Sequence, residues 1–361
     1  MQKYEDWLQM NMDQMAGLSG EWLRGTGPEC DIVISTRLRL ARNLATFPFT
    51  SRATPAQKQE IESLLRDRLT SLQGGPALEY ISLGNLANLE KQLLLERQII
   101  SRELAMGEGA RGVAVSADES VSIMVNEEDH LRIQVMRSGL DLDQAWVLTN
   151  DVDDRIEQRV AYAFHEEFGY LTACPTNVVT GMRASVMLHL PALEFTRQSE
   201  QVFRALQKIN LEVRGLYGEG SRASGHFYQI SNQVTLGKNE ETILREIQAV
   251  IPAVIRYEKE AREAWKRDQS VGLEDRVKRA LETLHGATMM TSEETMELLS
   301  LVRLGLALGQ LRGLSVPLLN ELFIQTQPAH LQKLAGESLD SERRNIARAE
   351  HLRRKLNAAE A

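Results

Sequence analysis

Three apolar stretches, 111–117, 121–126 and 130–136, follow one another with only three residues between each pair. A parallel pairing needs a crossover of roughly a dozen residues or more, so these stretches must form an antiparallel meander. Further strands are predicted at 31–35, running on extended through 36–43, and at 78–83, 182–190, 211–216 and 226–231. Between them the spacing predicts helices over 1–24, 55–73, 85–105, 141–168 and 194–209, and one from about 239 past Trp265. Helices packed on an antiparallel sheet make an α+β domain. Beyond it the strand pattern stops. Residues 274–285, 291–311, 315–326 and 340–357 read only as helices, which predicts the α+β domain over 1–260 and an all-helical C-terminal domain over 261–361.

The chain carries a net charge of −8, which argues against a general nucleic-acid binder. Two cysteines, Cys30 and Cys174, make no disulfide framework and lack metal-ligand spacing. No apolar run approaches the ~20 residues of a membrane span and no signal-peptide pattern opens the chain, so a cytoplasmic protein is expected. Of 42 basic residues only 10 are lysines. Codon bias accounts for such a skew, and so does a need for guanidinium forks, which grip phosphates bidentately where lysine is a point charge.

The familiar nucleotide motifs fail. Gly107-Glu-Gly-Ala-Arg-Gly112 follows a helix and precedes a strand, the reverse of a dinucleotide fingerprint, and no Walker A sequence is present. His165-Glu166-Glu167 lacks the second histidine of a zinc-protease motif. The acidic run in Asn126-Glu-Glu-Asp-His-Leu-Arg132 reads as a solvated hairpin turn, without a second cluster to complete a metal site. Two features remain. The segment 173–191 packs a cysteine, a Thr-Asn turn, a Thr-Gly pair and an arginine into one span. Arg37, Arg39, Arg132, Arg183 and Arg214 each lie in or beside a strand; singly they read as exposed or ion-paired residues, and together at one end of a sheet they would clamp a polyphosphate.

Four ordered motifs then give the chain a resemblance. Val33-Ile-Ser-Thr-Arg-Leu-Arg39, Asn126-Glu-Glu-Asp-His-Leu-Arg132, the run from Cys174-Pro-Thr-Asn through Arg183-Ala-Ser-Val186, and Arg214-Gly-Leu-Tyr-Gly-Glu219 followed by Tyr228-Gln-Ile-Ser-Asn232 are similar to the signatures of the phosphagen (creatine and arginine) kinases. Only 30 residues precede Asp31, and the helical region after about 260 has no counterpart in the small-substrate enzymes. Both features resemble the bacterial protein-arginine kinases of the McsB type.

The resemblance implies ATP with Mg2+ as phosphoryl donor and arginine side chains of proteins as acceptors. It also implies a place in stress-response proteolysis, with McsA, CtsR and ClpC–ClpP as partners, and a homodimer. Phosphorylation of free arginine, or a non-catalytic phosphoarginine-binding adaptor, are the alternatives. Carried over motif by motif, Arg37, Arg39, Arg132, Arg183 and Arg214 would hold the phosphates. Ser35, Thr36, Leu38, Gln98, Gly215 and Gly218, with the backbone of Ala184, Ser185, Val186 and Met187, would line the nucleotide site. Glu128, Glu127 and Glu219 would hold the guanidinium, with Glu128 as the base and Cys174 beside the acceptor, its thiolate favoured by positive neighbours. Met187, Gln98 and Val179 differ from the family pattern, which leaves the adenine and ribose contacts open. Arg344-Asn345-Ile-Ala-Arg348-Ala349 is similar to an allosteric phosphoarginine-binding motif; the same spacing also suits an exposed helix face.

Overall fold

The computed structural model describes residues 12–215, 224–268 and 270–360. Its organising strand is β1 (Val33–Arg42), in which leucine and arginine alternate: Leu38 and Leu40 are fully buried on one face, while Arg37 and Arg39 lie on the other. Around it are β2 (Leu78–Ser82), β3 (Gly112–Ser116), β4 (Val121–Val125), β5 (Leu131–Ser138), β8 (Met182–His189), β9 (Leu211–Gly215) and β10 (Phe227–Asn232). They form one antiparallel eight-stranded sheet in the order β2-β3-β4-β5-β1-β8-β10-β9. The expected meander is β3-β4-β5.

The apolar face of the sheet, including Leu38, Leu40, Ile133, Val135, Ala184, Val186 and Ile230, packs against helices Pro55–Thr70, Leu142–Glu157 and Glu240–Asp268. On the opposite face, Met136, Met187 and Phe227 are covered by Leu319, Leu322 and Phe323 of helix Val316–Gln325. The rings of Phe227 and Phe323 meet edge to face at 4.6 Å. The C-terminal helices thus roof one part of the polar face. Helix Glu240–Asp268 runs unbroken through residue 260, and Leu273, Val277 and Leu304 beyond it belong to the same core as the sheet.

Several expected elements differ. The helix over 85–105 is two, Asn88–Glu96 and Arg102–Met106, because Gln98 takes a left-handed backbone (φ 61°) and Ser101 caps the second. The helix over 141–168 stops at Glu157. The chain then runs beside β1's exit, with Ala45 N donating to Ala161 O and Ala163 N to Asn43 O, and folds into a small hairpin, β6 (Phe164–His165) and β7 (Gly169–Tyr170). Val147 and Phe164 are exposed. The helix over 194–209 splits into Pro191–Phe195 and Ser199–Lys208 at Arg197 (φ 58°). A helix at Pro328–Ala335 was not anticipated, although Pro328 is a suitable first-turn residue. Of the helix expected over 1–24, residues 1–11 lie outside the described residues; 12–17 is helical and Glu21–Leu23 is a 3-10 turn. No described helix is long and apolar enough to cross a membrane.

Candidate active site

Strand register brings the arginines together. Arg39 pairs across β1/β8 with Arg183, Arg37 with Ser185, and Ser35 with Met187; across β8/β10/β9, Met187 leads to Gln229 and Arg214. On β5, Gln134 faces Arg39, and Arg132 stands one pleat further along. All five arginines therefore project from one face of the sheet. Two adjoining cavities sit over them, of about 770 and 370 Å3, and Arg39, Ser101, Glu103 and Arg214 line both. The larger also takes in Arg132 and Arg183, the smaller Arg37.

The cations perturb one another. Burial first, then the charges of Arg183, Arg132 and Arg214, lower the Arg37 pKa to about 10, still high enough to keep it protonated. Burial and the nearby Arg37, Arg132 and Arg183 push Arg39 well down, against the pull of Glu127. Arg183 is lowered by burial, with Arg214 and Arg132 adding to the effect and Glu212 opposing it. The buried Nε atoms of Arg39 and Arg183 have no hydrogen-bond partner among the described residues. Orphaned cationic donors of this kind fit the oxygens of a polyphosphate.

The acceptor side is built on the β4–β5 turn. This turn is not the solvated loop its composition suggests: Asn126, Glu127, Asp129 and His130 are buried. Glu127 Oε1 accepts from Arg132 Nη1 at 2.7 Å and from Ser101 Oγ at 2.5 Å, and Glu128 Oε2 accepts from Arg132 Nη2 at 3.2 Å. Burial raises the Glu128 pKa; Arg132 pulls it down, while Asp129, Glu127 and Glu103 push it up. Asp129 Oδ1 accepts from Asn43 Nδ2 at 2.6 Å and from Ala173 N at 2.7 Å, tying the acidic turn to the segment that carries Cys174. Cys174 is half-buried, lines the larger cavity with Glu127, Glu128 and Arg132, and has its Sγ 3.0 Å from Thr176 Oγ1.

The side chains of other predicted residues point elsewhere. Leu38, Ala184 and Val186 turn their side chains into the core on the far side of the sheet. Met187 packs under the C-terminal helices and lines neither cavity. Ser35 is buried, Thr36 Oγ1 donates to Gly139 O and accepts from Asp141 N, and Ser185 Oγ donates to Arg37 O. These are structural bonds within and around the sheet. Gln98 and Gly215 do line the smaller cavity, and Gln98 Oε1 accepts from Arg37 Nη1 at 3.1 Å. Glu219 and Gly218 lie outside the described residues. Val179 is on the loop after Cys174, where Tyr170 N donates to its carbonyl, away from the smaller cavity.

Arg344, Asn345, Arg348 and Ala349 sit on helix Ser341–Glu360. Arg348 is buried and donates to Thr326 O, Met290 O and Asn345 Oδ1, Arg344 Nη1 donates to Leu339 O, and Ala349 is in the core. Arg348 is therefore no exposed helix-face cation: burial and Arg344 lower it to about 10. Sequence reasoning missed Ser101, Asp129, Glu212 and Gln229. For Glu212 the signal was present, since a residue two before Arg214 on a strand shares its face.

Residues 60–261 match the family model of the ATP:guanido phosphotransferase C-terminal catalytic domain, and residues 270–361 match that of the protein-arginine kinase McsB C-terminal domain. The chain belongs to the protein-arginine kinase family. It is 48% identical over 343 residues to a protein-arginine kinase of Symbiobacterium thermophilum, covering 93% of this chain and 96% of that one. Against the Halothermothrix orenii protein-arginine kinase the identity is 44% over 336 residues, with 93% and 96% coverage. Among solved structures, a duplicated taurocyamine kinase from Schistosoma mansoni, bound to transition-state-analogue components, superposes with a TM-score of 0.58 at 27% identity. That match covers 65% of this chain and about a third (34%) of the duplicated one. Members of this family are ATP-dependent kinases of guanidino groups, and most of the cleft described above lies within the matched catalytic region, while Arg37, Arg39 and a few other lining residues precede it.

Proposed function

We propose that this cleft transfers the γ-phosphoryl group of ATP to the guanidinium of arginine side chains in proteins. The observation that carries the reading is the convergence of five arginines on one sheet face, four of them lining one cavity with Glu127, Glu128 and Cys174 and Arg37 lining the adjoining one. A guanidinium has a pKa above ~12 and is a poor nucleophile, so the attacking nitrogen must be oriented and must lose a proton. Glu127, fixed by Arg132 and Ser101, is suited to hold the guanidinium plane. Glu128, whose raised pKa makes it a better proton acceptor, takes the proton as the N–P bond forms and the bond from phosphorus to the ADP oxygen breaks. Glu219 would be the second clamp by its place in the motif. Arg37, Arg39, Arg132, Arg183 and Arg214 bind the phosphates and neutralise the charge on the transferring group, so rate enhancement comes from positioning and electrostatics. Mg2+ entering with ATP would shield the phosphate charge, held mainly by phosphate oxygens and water.

Protein arginine is favoured over free arginine by the names of the relatives that match along nearly the whole chain. A role in marking proteins for proteolysis, and self-association and phosphoarginine binding by residues 261–361, extend the same reading. The test is to incubate the protein with MgATP and either an arginine-rich protein or free arginine, and to measure acid-labile phosphate on nitrogen. Label on the protein is expected. Label only on free arginine, or none, overturns it.

A further inference from the structure

Among the described residues, Glu212 is the one carboxylate ion-paired with two of the clamp arginines on the β9 side. Its Oε2 lies 2.5 Å from Arg183 Nη2 and its Oε1 2.7 Å from Arg214 Nη2. The same Arg183 Nη2 donates to Ser231 Oγ at 2.8 Å. Burial pushes the Glu212 carboxyl up, but the hydrogen bonds from Arg214 and Arg183 outweigh it and hold the group below its ordinary value, so it is anionic wherever the enzyme works. The clamp is therefore uneven. Arg132 is matched by Glu127 and Glu128, and Arg183 and Arg214 by Glu212, whereas Arg37 and Arg39 meet no carboxylate among the described residues.

A phosphate approaching Arg183 and Arg214 must either displace Glu212 from these donors or settle beside its negative charge. Both routes cost binding energy. We infer that Glu212 is an internal counter-anion that competes with the nucleotide phosphates for Arg183 and Arg214, and so limits how tightly ATP and ADP are held. The inference rests on the kinase reading and adds an affinity-setting residue to it. Five unopposed guanidinium groups would also hold the product ADP firmly, and product release limits turnover in many enzymes. A carboxylate that reoccupies two of them favours departure. Arg37 and Arg39 form the permanent anion seat, and Arg183 and Arg214 the exchangeable one.

A brace that merely pre-organises the two arginines would act with the opposite sign, which makes the test decisive. MgATP, MgADP and adenosine are titrated by calorimetry into the full-length wild type, Glu212→Gln and Glu212→Asp. Glu212 is on an edge strand with a side chain about one-fifth exposed (21%), so both variants are expected to fold, and thermal melts check this. Competition predicts that Glu212→Gln binds MgATP and MgADP about tenfold more tightly, with adenosine unchanged, while Glu212→Asp stays near wild type. Unchanged or weaker nucleotide binding in Glu212→Gln overturns the inference, as does an equal shift for adenosine, which would mark a structural effect. Failure of the wild type to bind MgATP at all strikes the kinase reading itself and takes this inference with it.

Discussion

Arg39 on β1 stands directly opposite Arg183 on β8, two like charges as cross-strand partners in the middle of an eight-stranded sheet. Such a pairing is destabilising by itself, and here each side chain also keeps a buried Nε without a hydrogen-bond partner among the described residues. The pair makes physical sense as a seat for an anion that both can grip.

Replacing Arg39 with Met should separate stability from activity. Removing one of several crowded cations relieves repulsion, so the ligand-free melting temperature should hold or rise. Phosphoryl transfer should fall ~10²–10³-fold, as for loss of one transition-state donor. In the wild type, MgATP at a hundred times its Kd should add about 2.7 kcal/mol of stability, and most of that gain should vanish in the variant. Thermal melts with and without MgATP measure both effects. A large drop in the ligand-free melting temperature would assign Arg39 to the structural framework instead.

Glu128 should set the acid limb of the pH–rate profile. It works as a base only when ionised, so activity climbs as pH rises through its pKa. Burial places that midpoint above the ordinary 4.5. For stability the sign reverses: with the folded pKa raised, the contribution is fully present below the unfolded pKa and is lost as pH rises through the folded one. Glu128→Gln should abolish the limb and slow the reaction by ~10²–10⁴. A Gln variant that keeps the wild-type profile would remove Glu128 from the proton transfer.

Cys174 should be inactivated by thiol alkylation and protected by MgATP with an arginine acceptor. Asp129 anchors the segment through Ala173 N, so Asp129→Ala should leave buried donors unpaired, at about 1–3 kcal/mol each, and weaken the protection. Rates of inactivation in a Cys30→Ser background isolate the one thiol. Full activity after complete alkylation would show that the sulfur only fills space.

Val179 occupies a left-handed backbone position at φ 86°, unfavourable for a β-branched side chain. Relief of this conformation should make Val179→Gly more stable by about 1 kcal/mol, within the 1–3 kcal/mol range of such strain. Denaturant unfolding gives the comparison, and a loss of stability would mean that the valine side chain contributes packing greater than the strain.

Parts of this fold were legible locally. Alternation in Arg37-Leu38-Arg39-Leu40 assigned each side chain to a face, and the short linkers at 118–120 and 127–129 left no topology but a meander. Helix ends were less legible. The breaks at Gln98 and Arg197 depend on left-handed residues that carry no glycine signal, and the stop at Glu157 depends on main-chain pairing of Ala161 and Ala163 with residues near 44. The buried acidic turn was misjudged for the same reason: its charges are satisfied by Arg132, Ser101, Asn43 and Ala173, all but one of them distant in sequence.

By itself the sequence determined the periodicities and the motifs that mark the family, because each is written in neighbouring residues. The tertiary structure alone decided that five arginines from four strands share one cleft, that Glu212 lies between two of them, and that Met187 belongs to the packing beneath the C-terminal helices. Which strands become neighbours, and in what register, is fixed by burial of the opposite apolar face against three helices far apart in the chain. A charge gains its partners only after that burial has set the register.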